Sequence, residues 1–142
     1  MNLNVQKLHL DAITPTYATP GAACFDLHSI EDAKVLPGGA ATVDTGLAFE
    51  VPNGYAMMVY SRSGHGFKNA VRLANCTGVI DSDYRGPLLI RLVCDSGLGL
   101  RIQKGERVAQ AMLVPVQTHT FTVIDKLTDT ARGSGGLGST GV

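Results

Sequence analysis

An all-β fold of the sandwich, barrel or jelly-roll kind is predicted by three features of the chain. Short β-rich runs recur, turn signals separate them at intervals suited to strands of four to eight residues, and no stretch keeps a long helical period. The runs are 25–29, 41–44, 47–51, 55–60, 78–80, 88–94, 108–116 and 120–124. Pro37-Gly38-Gly39 separates the first two and Pro52-Asn53-Gly54 the third and fourth. Asp95-Ser96-Gly97 closes 88–94, and Lys104-Gly105 leads into 108–116. The one helix the pattern allows is a turn or two after Ser63. Runs 55–60 (Tyr-Ala-Met-Met-Val-Tyr) and 88–93 (Leu-Leu-Ile-Arg-Leu-Val) are continuously apolar rather than alternating, which predicts burial on both faces. A chain this small either stacks a single thick core or turns part of that surface toward another subunit.

With 142 residues the chain has room for one domain and a real core. Lys plus Arg and Asp plus Glu both number 12, so there is no basic field to drive general nucleic-acid binding, and any anion site must be a local cluster. Cys24, Cys76 and Cys94 have no zinc-type spacing and fit reduced thiols in a cytoplasmic protein. The start of the chain lacks a signal-peptide pattern, and no run reaches 18 apolar residues. The expectation is a cytoplasmic protein that neither enters nor binds a membrane.

Beyond Asp125 the character changes, with five glycines between Gly133 and Gly141. The expected division is a domain over 1–125 and an arm over 126–142. Such an arm cannot pack a core, yet its arginine, hydroxyls and free N–H groups suit phosphate oxygens; a plain tail is the alternative. Gly133-x-Gly135-x-x-Gly138 matches the dinucleotide fingerprint but is followed by four residues, not a helix. The phosphate-loop reading fails because Ser139 stands where lysine must be.

The most informative stretch, 78–86, sets Asp81, Asp83, Tyr84 and Arg85 between apolar strands. Asp81 follows Val79-Ile80 and could be held at a strand end as a general base that positions water; turn capping is the commoner fate of such acids. Ser61-Arg62-Ser63-Gly64 offers a guanidinium, a hydroxyl and close backbone approach to an oxyanion, or simply a serine helix cap. Lys104-Gly105-Glu106-Arg107-Val108-Ala109-Gln110 reads as a turn entering a strand, with Gln110 an exposed amide.

Five stretches in order resemble the motifs of the trimeric dUTPase family. They are Pro20 to Ser29 (PGAACFDLHS), Ser61 to Gly64, Asn75 to Gly86 (NCTGVIDSDYRG), Gly105 to Gln110 and Arg132 to Gly141 (RGSGGLGSTG). The resemblance implies a jelly-roll subunit of the dUTPase-like β-clip type in a threefold homotrimer. Each active site is built from three chains and closed by a C-terminal arm. The implied reaction cuts dUTP to dUMP and pyrophosphate with Mg²⁺, keeping uracil out of DNA and supplying dUMP for dTMP synthesis.

The same resemblance implies the roles. Asp81 directs the water at the α-phosphorus, and Tyr84 packs under the deoxyribose. The hairpin from Asn75 to Gly78 reads the uracil edge through its backbone, where cytosine would leave buried polar groups unpaired. Arg62, Ser63 and Gly64 meet the α- and β-phosphates, and Gln110 the phosphate and water region. Arg132, Gly136 and Ser139 serve the γ-phosphate side while Leu137 covers the base. Asp26 holds the metal through its water shell, and Arg107 pairs within the trimer.

Four positions depart from the family pattern: Phe25 for a frequent tyrosine, Ser61 for a proline, His65 for an aliphatic residue, and Leu137 for the aromatic that stacks on uracil. Two other classes share the scaffold, a nucleotide-controlled binding protein and a dCTP deaminase; the Ile80-Asp81-Ser82-Asp83-Tyr84 pattern favours hydrolysis. A coat or lectin jelly roll has no use for the five motifs.

Overall fold

The structure is a computed structural model that describes residues 2–95 and 97–141. Alternation sets the strands. In β2 (Phe25–His28) the apolar Phe25 and Leu27 point inward while Asp26 and His28 share the other face, the period of two that a half-buried strand requires. The remaining strands are β1 (Asn4–Lys7), β3 (Ala33–Val35), β4 (Ala40–Asp44), β5 (Leu47–Glu50), β6 (Tyr55–Tyr60), β7 (Val71–Leu73), β8 (Thr77–Ile80), β9 (Leu89–Cys94), β10 (Leu100–Ile102) and β11 (Arg107–Pro115), with one short helix, α1 (Ser63–Asn69), between β6 and β7.

They form an all-β jelly roll. One sheet has the order β2-β11-β6-β8 and a second β4-β9-β7, with the pairs β1-β5 and β3-β10 flanking them, and every pairing is antiparallel. Leu27, Val43, Leu47, Met57, Ile90, Leu92, Ile102 and Val108 lie fully inside, each such side chain contributing about 1.5–3 kcal/mol of burial free energy. Close approach fixes the turn after β4. Gly46 has φ +65, and a Cβ there would lie 2.9 Å from Ile30 Cγ2, 3.0 Å from His9 Cβ and 3.1 Å from Ala12 Cβ.

The structure departs from the sequence expectation in several places, and the short strands β1, β3, β7 and β10 lie outside the β-rich runs. Run 120–124 forms no strand: Phe121 and Val123 stand 96% and 97% exposed, because no neighbouring strand among the described residues reaches them. In run 88–93 the chain itself buries one face, since β9 alternates, with Ile90 and Leu92 inward and Leu89 and Arg91 outward, so the single-core alternative does not cover both faces. Neither Ser61 nor Ser63 caps α1. The N-cap is Arg62, without a side-chain cap bond, and Ser61 Oγ instead accepts the Leu73 N–H (2.9 Å).

Candidate active site

Two regions of the β2-β11-β6-β8 sheet gather the residues singled out by sequence. The first lies at the end of β8. Gly78 pairs with Val59 and Ile80 with Met57, so the hairpin ahead of β8 is clamped against β6. The backbones approach closely here: a Cβ on Gly78 would sit 3.2 Å from Val59 Cβ and 3.7 Å from Asn75 Nδ2, so Val59 would have to give way by a few tenths of an ångström. A hollow of about 300 Å³ is lined by Asn75, Gly78, Val79 and Leu89 among others. Beside it a second, of about 230 Å³, is lined by Val79, Ile80, Asp81, Tyr84 and Pro87 to Leu89.

Asp81 is exposed, and no hydrogen bond or ion pair joins its carboxylate to another described residue; only its backbone carbonyl is engaged, by the Tyr84 N–H at 3.3 Å. The side chain therefore does not cap the turn. Tyr84 leans over Gly86 and donates its hydroxyl to the Pro87 carbonyl (3.1 Å).

Two arginines that sequence reasoning left without a role shape this region. Arg85 donates to the carbonyls of Ser82 (2.7 Å) and Tyr84 (2.9 Å) and pairs with Glu50 at 3.7 Å, pinning the loop. Arg72 grips Asp95 in a two-pronged pair (2.8 and 2.9 Å), with Nη1 on the Leu73 carbonyl (3.1 Å) at the base of the hairpin. Arg85 sits inside the 75–86 stretch, so its signal is in the sequence; the Arg72–Asp95 pair spans 23 residues and has no local signature.

The second region unites three separate motifs. Asp26 pairs in register with Gln110, and Gln110 with Tyr60, so β2, β11 and the exit of β6 present Asp26, Gln110 and Arg62 together. Arg62 Nε lies 3.8 Å from Asp26 Oδ1, and Arg107 Nη1 3.2 Å from Asp26 Oδ2, which makes Arg107 a partner of Asp26 in its own chain. Gln110 donates to the Ser61 carbonyl (3.0 Å). Ser61, Arg62, Ser63, Gly66, Phe67 and Gln110 line a hollow of about 350 Å³ here. Burial pushes the neighbouring His28 imidazole below its usual range; Asp26 pulls it back up, while Arg107 and Arg62 push it further down. A larger hollow of about 720 Å³, between β1 and Phe25, Phe49 and Leu113, contains none of the predicted residues.

The two regions are not adjacent. Ile80 is opposite Met57, which puts Asp81 level with Ala56, and Arg62 lies six residues further along; at about 3.3 Å per residue this separates Asp81 from Arg62 by on the order of 20 Å. Arg132, Gly136, Leu137 and Ser139 join neither region: the arm is curled on itself, with Arg132 Nε donating to the Gly135 carbonyl (2.9 Å), and Leu137 is fully exposed.

The family model for dUTPase matches residues 11–141, which includes every one of these residues. The chain belongs to the dUTPase family. A deoxyuridine 5'-triphosphate nucleotidohydrolase of Nautilia profundicola is 45% identical over 99% of both chains, and one of a Picosynechococcus strain is 42% identical over 99% of both. Among solved structures, the dUTPase of Staphylococcus bacteriophage 80alpha, in complex with dUPNHPP, matches with a TM-score of 0.90 at 28% identity, again over 99% of each chain. The dUTPase motifs thus fall in two places on this fold, an acid-and-tyrosine hollow and an arginine-and-amide cluster, with a third set on the arm.

The structure describes no group of three or more His, Cys, Asp or Glu side chains that could hold a metal, and no helix among the described residues is long and apolar enough to cross a membrane.

Proposed function

We propose that this chain hydrolyses dUTP to dUMP and pyrophosphate, as a homotrimer whose active sites lie between subunits. One observation carries the reading: the Asp81 carboxylate stands without a partner among the described residues, in the hollow that also holds Tyr84 and adjoins the Asn75–Gly78 hairpin. A carboxylate so placed can accept a proton from water and aim it. The full-length similarity to deoxyuridine triphosphate nucleotidohydrolases supports the same substrate.

In this reading uracil lies against the backbone of the hairpin and deoxyribose against Tyr84. Asp81 directs the water in line at the α-phosphorus; the new P–O bond forms as the bond to the α,β-bridging oxygen breaks, and pyrophosphate leaves with that electron pair. Arg62, Gln110 and the N–H groups of Ser63 and Gly64 stabilise the charge passing to the leaving group. The separation of Asp81 from Arg62 supports a shared site, since both must reach one phosphate and a single chain holds them on the order of 20 Å apart. The outward Leu89 and Val79 (52% and 57% exposed) and the strandless Phe121 and Val123 supply apolar surface for neighbouring copies. Segment 126–142 is the arm, bringing Arg132, Gly136 and Ser139 to the γ-phosphate and Leu137 to the base.

A hard cation such as Mg²⁺ fits the donors present when it arrives with the triphosphate. It needs one or two carboxylates and keeps its waters, and Asp26 is the carboxylate beside Arg62 and Gln110. Bound there, Mg²⁺ would supply neutralisation of phosphate charge. The free thiols of Cys24 and Cys76 suit the reducing cytoplasm.

The test is incubation with dUTP, dCTP, dTTP and UTP separately, with Mg²⁺, for the parent and Asp81→Asn. The parent should release pyrophosphate from dUTP far faster than from the others, and the variant should lose about 10²–10⁴ in rate while still binding dUTP. An active monomer in sedimentation would refute the shared site, and an Asp81→Asn chain at parental rate would refute the base.

A further inference from the structure

His65 is the buried imidazole of α1, 7% exposed, in a helix otherwise open to solvent. Its Nε2 lies 2.9 Å from the Arg107 carbonyl oxygen, the same oxygen that accepts from Arg62 Nη1 at 3.1 Å, and Nε2 is 3.4 Å from that Nη1. A carbonyl oxygen only accepts, so Nε2 must carry the hydrogen. The Arg62–His65 approach is then a meeting of two donors over one oxygen. The β2–β11 pairing shifts register between Arg107 and Ala109, the kind of irregularity that re-aims groups near sites.

We propose that His65 is a positioning residue for Arg62: by holding the Arg107 carbonyl against α1, it sets the oxygen that, with Asp26, fixes the guanidinium facing the phosphate region. Three polar contacts then locate Arg62, two on its own atoms (Asp26 Oδ1 and the Arg107 oxygen) and one, from His65, on the oxygen they share. An aliphatic residue in place of His65 would leave the carbonyl with Arg62 alone and α1 free to shift relative to β11. The inference rests on the reading of Arg62 as a phosphate ligand.

The test compares His65→Leu, His65→Gln, Arg62→Gln and the double variant Arg62→Gln/His65→Leu in dUTP hydrolysis. His65→Leu should raise KM about five- to tenfold with kcat within about twofold, the size expected for one lost hydrogen bond at an anion ligand. His65→Gln, which keeps a donor at similar reach, should stay near the parent. In the Arg62→Gln background His65→Leu should add nothing. A merely structural histidine would lower the unfolding midpoint and the active fraction, leave KM alone, and act additively with Arg62→Gln; that pattern overturns the proposal. Failure of the parent to hydrolyse dUTP would instead defeat the functional reading, and the ring itself then decides. Nitrogen-15 spectra of the intact protein should show His65 as the Nε2–H form, and an Nδ1–H form overturns the proposal.

Discussion

Replacing Gly86 by alanine should uncouple sugar selectivity from stability. A Cβ at this position would lie 2.6 Å from Tyr84 Cζ and 3.0 Å from Cε2, with the hydroxyl also in its way. Carbon atoms settle at about 3.5–4.0 Å, so the ring must retreat by roughly 1 Å. Tyr84 is 43% exposed and can swing outward, so the cost to folding is the loss of its bond to the Pro87 carbonyl, about 0.5–1.5 kcal/mol. The cost to function is larger, because a misplacement of about 1 Å at a positioning group can remove about 10²-fold in rate. Gly86→Ala should therefore lower kcat/KM for dUTP by about 10- to 100-fold, and narrow the preference for dUTP over UTP by at least about tenfold as the ring leaves the 2′ position. Pyrophosphate release from each nucleotide, with urea unfolding in parallel, makes the measurement. Parental selectivity in a folded Gly86→Ala protein would refute the placement of Tyr84 against the sugar.

Gly46→Ala should cost about 2–4 kcal/mol in urea unfolding, combining a positive φ with contacts under 3.2 Å to three side chains; a loss below about 1 kcal/mol would show that the turn is pliable. His28 should make the fold acid-sensitive. Its folded-state pKa lies below the 6.5 of the free side chain, so the unfolded chain takes up the proton first, and stability, full above about pH 6.5, declines as pH falls through the folded-state value. Unfolding midpoints at pH 7.5 and 5.5 should differ less in His28→Gln than in the parent, and equal pH dependence refutes the assignment. Removing the chain from Arg132 onward should depress kcat/KM severely, whereas Leu137→Phe should raise it a few-fold, since an aromatic stacked on a base is worth about 1–3 kcal/mol. Unchanged turnover after truncation would mean that the arm takes no part.

Where strand length and apolar content were both present, as at Tyr55–Tyr60, the sequence announced the element. The missed strands are three or four residues long; β3, β7 and β10 carry Lys34, Arg72 and Arg101 between apolar neighbours and β1 has Val5 as its one apolar residue, so pairing with a neighbour, not composition, makes them strands. Run 120–124 fails in the opposite sense: its residues suit a strand, but a strand needs a partner, and the described residues offer none. The site was legible as motifs and not as geometry. Nothing in the spacing of residues 26, 62 and 110 says that they meet, since that follows from the β2-β11-β6 order. Nor could spacing show that Asp81 and Arg62 leave the same strand pair at opposite ends.

That last separation changes how damage to the protein is inherited. On the proposed three-chain site, with its acid from one copy, its arginine from another and its arm from a third, a faulty chain would spoil seams rather than whole molecules. A trimer holding one chain with a broken Asp81 and one with a broken arm still assembles at least one intact site. Two genes, each unable to encode an active enzyme alone, can then restore activity between them.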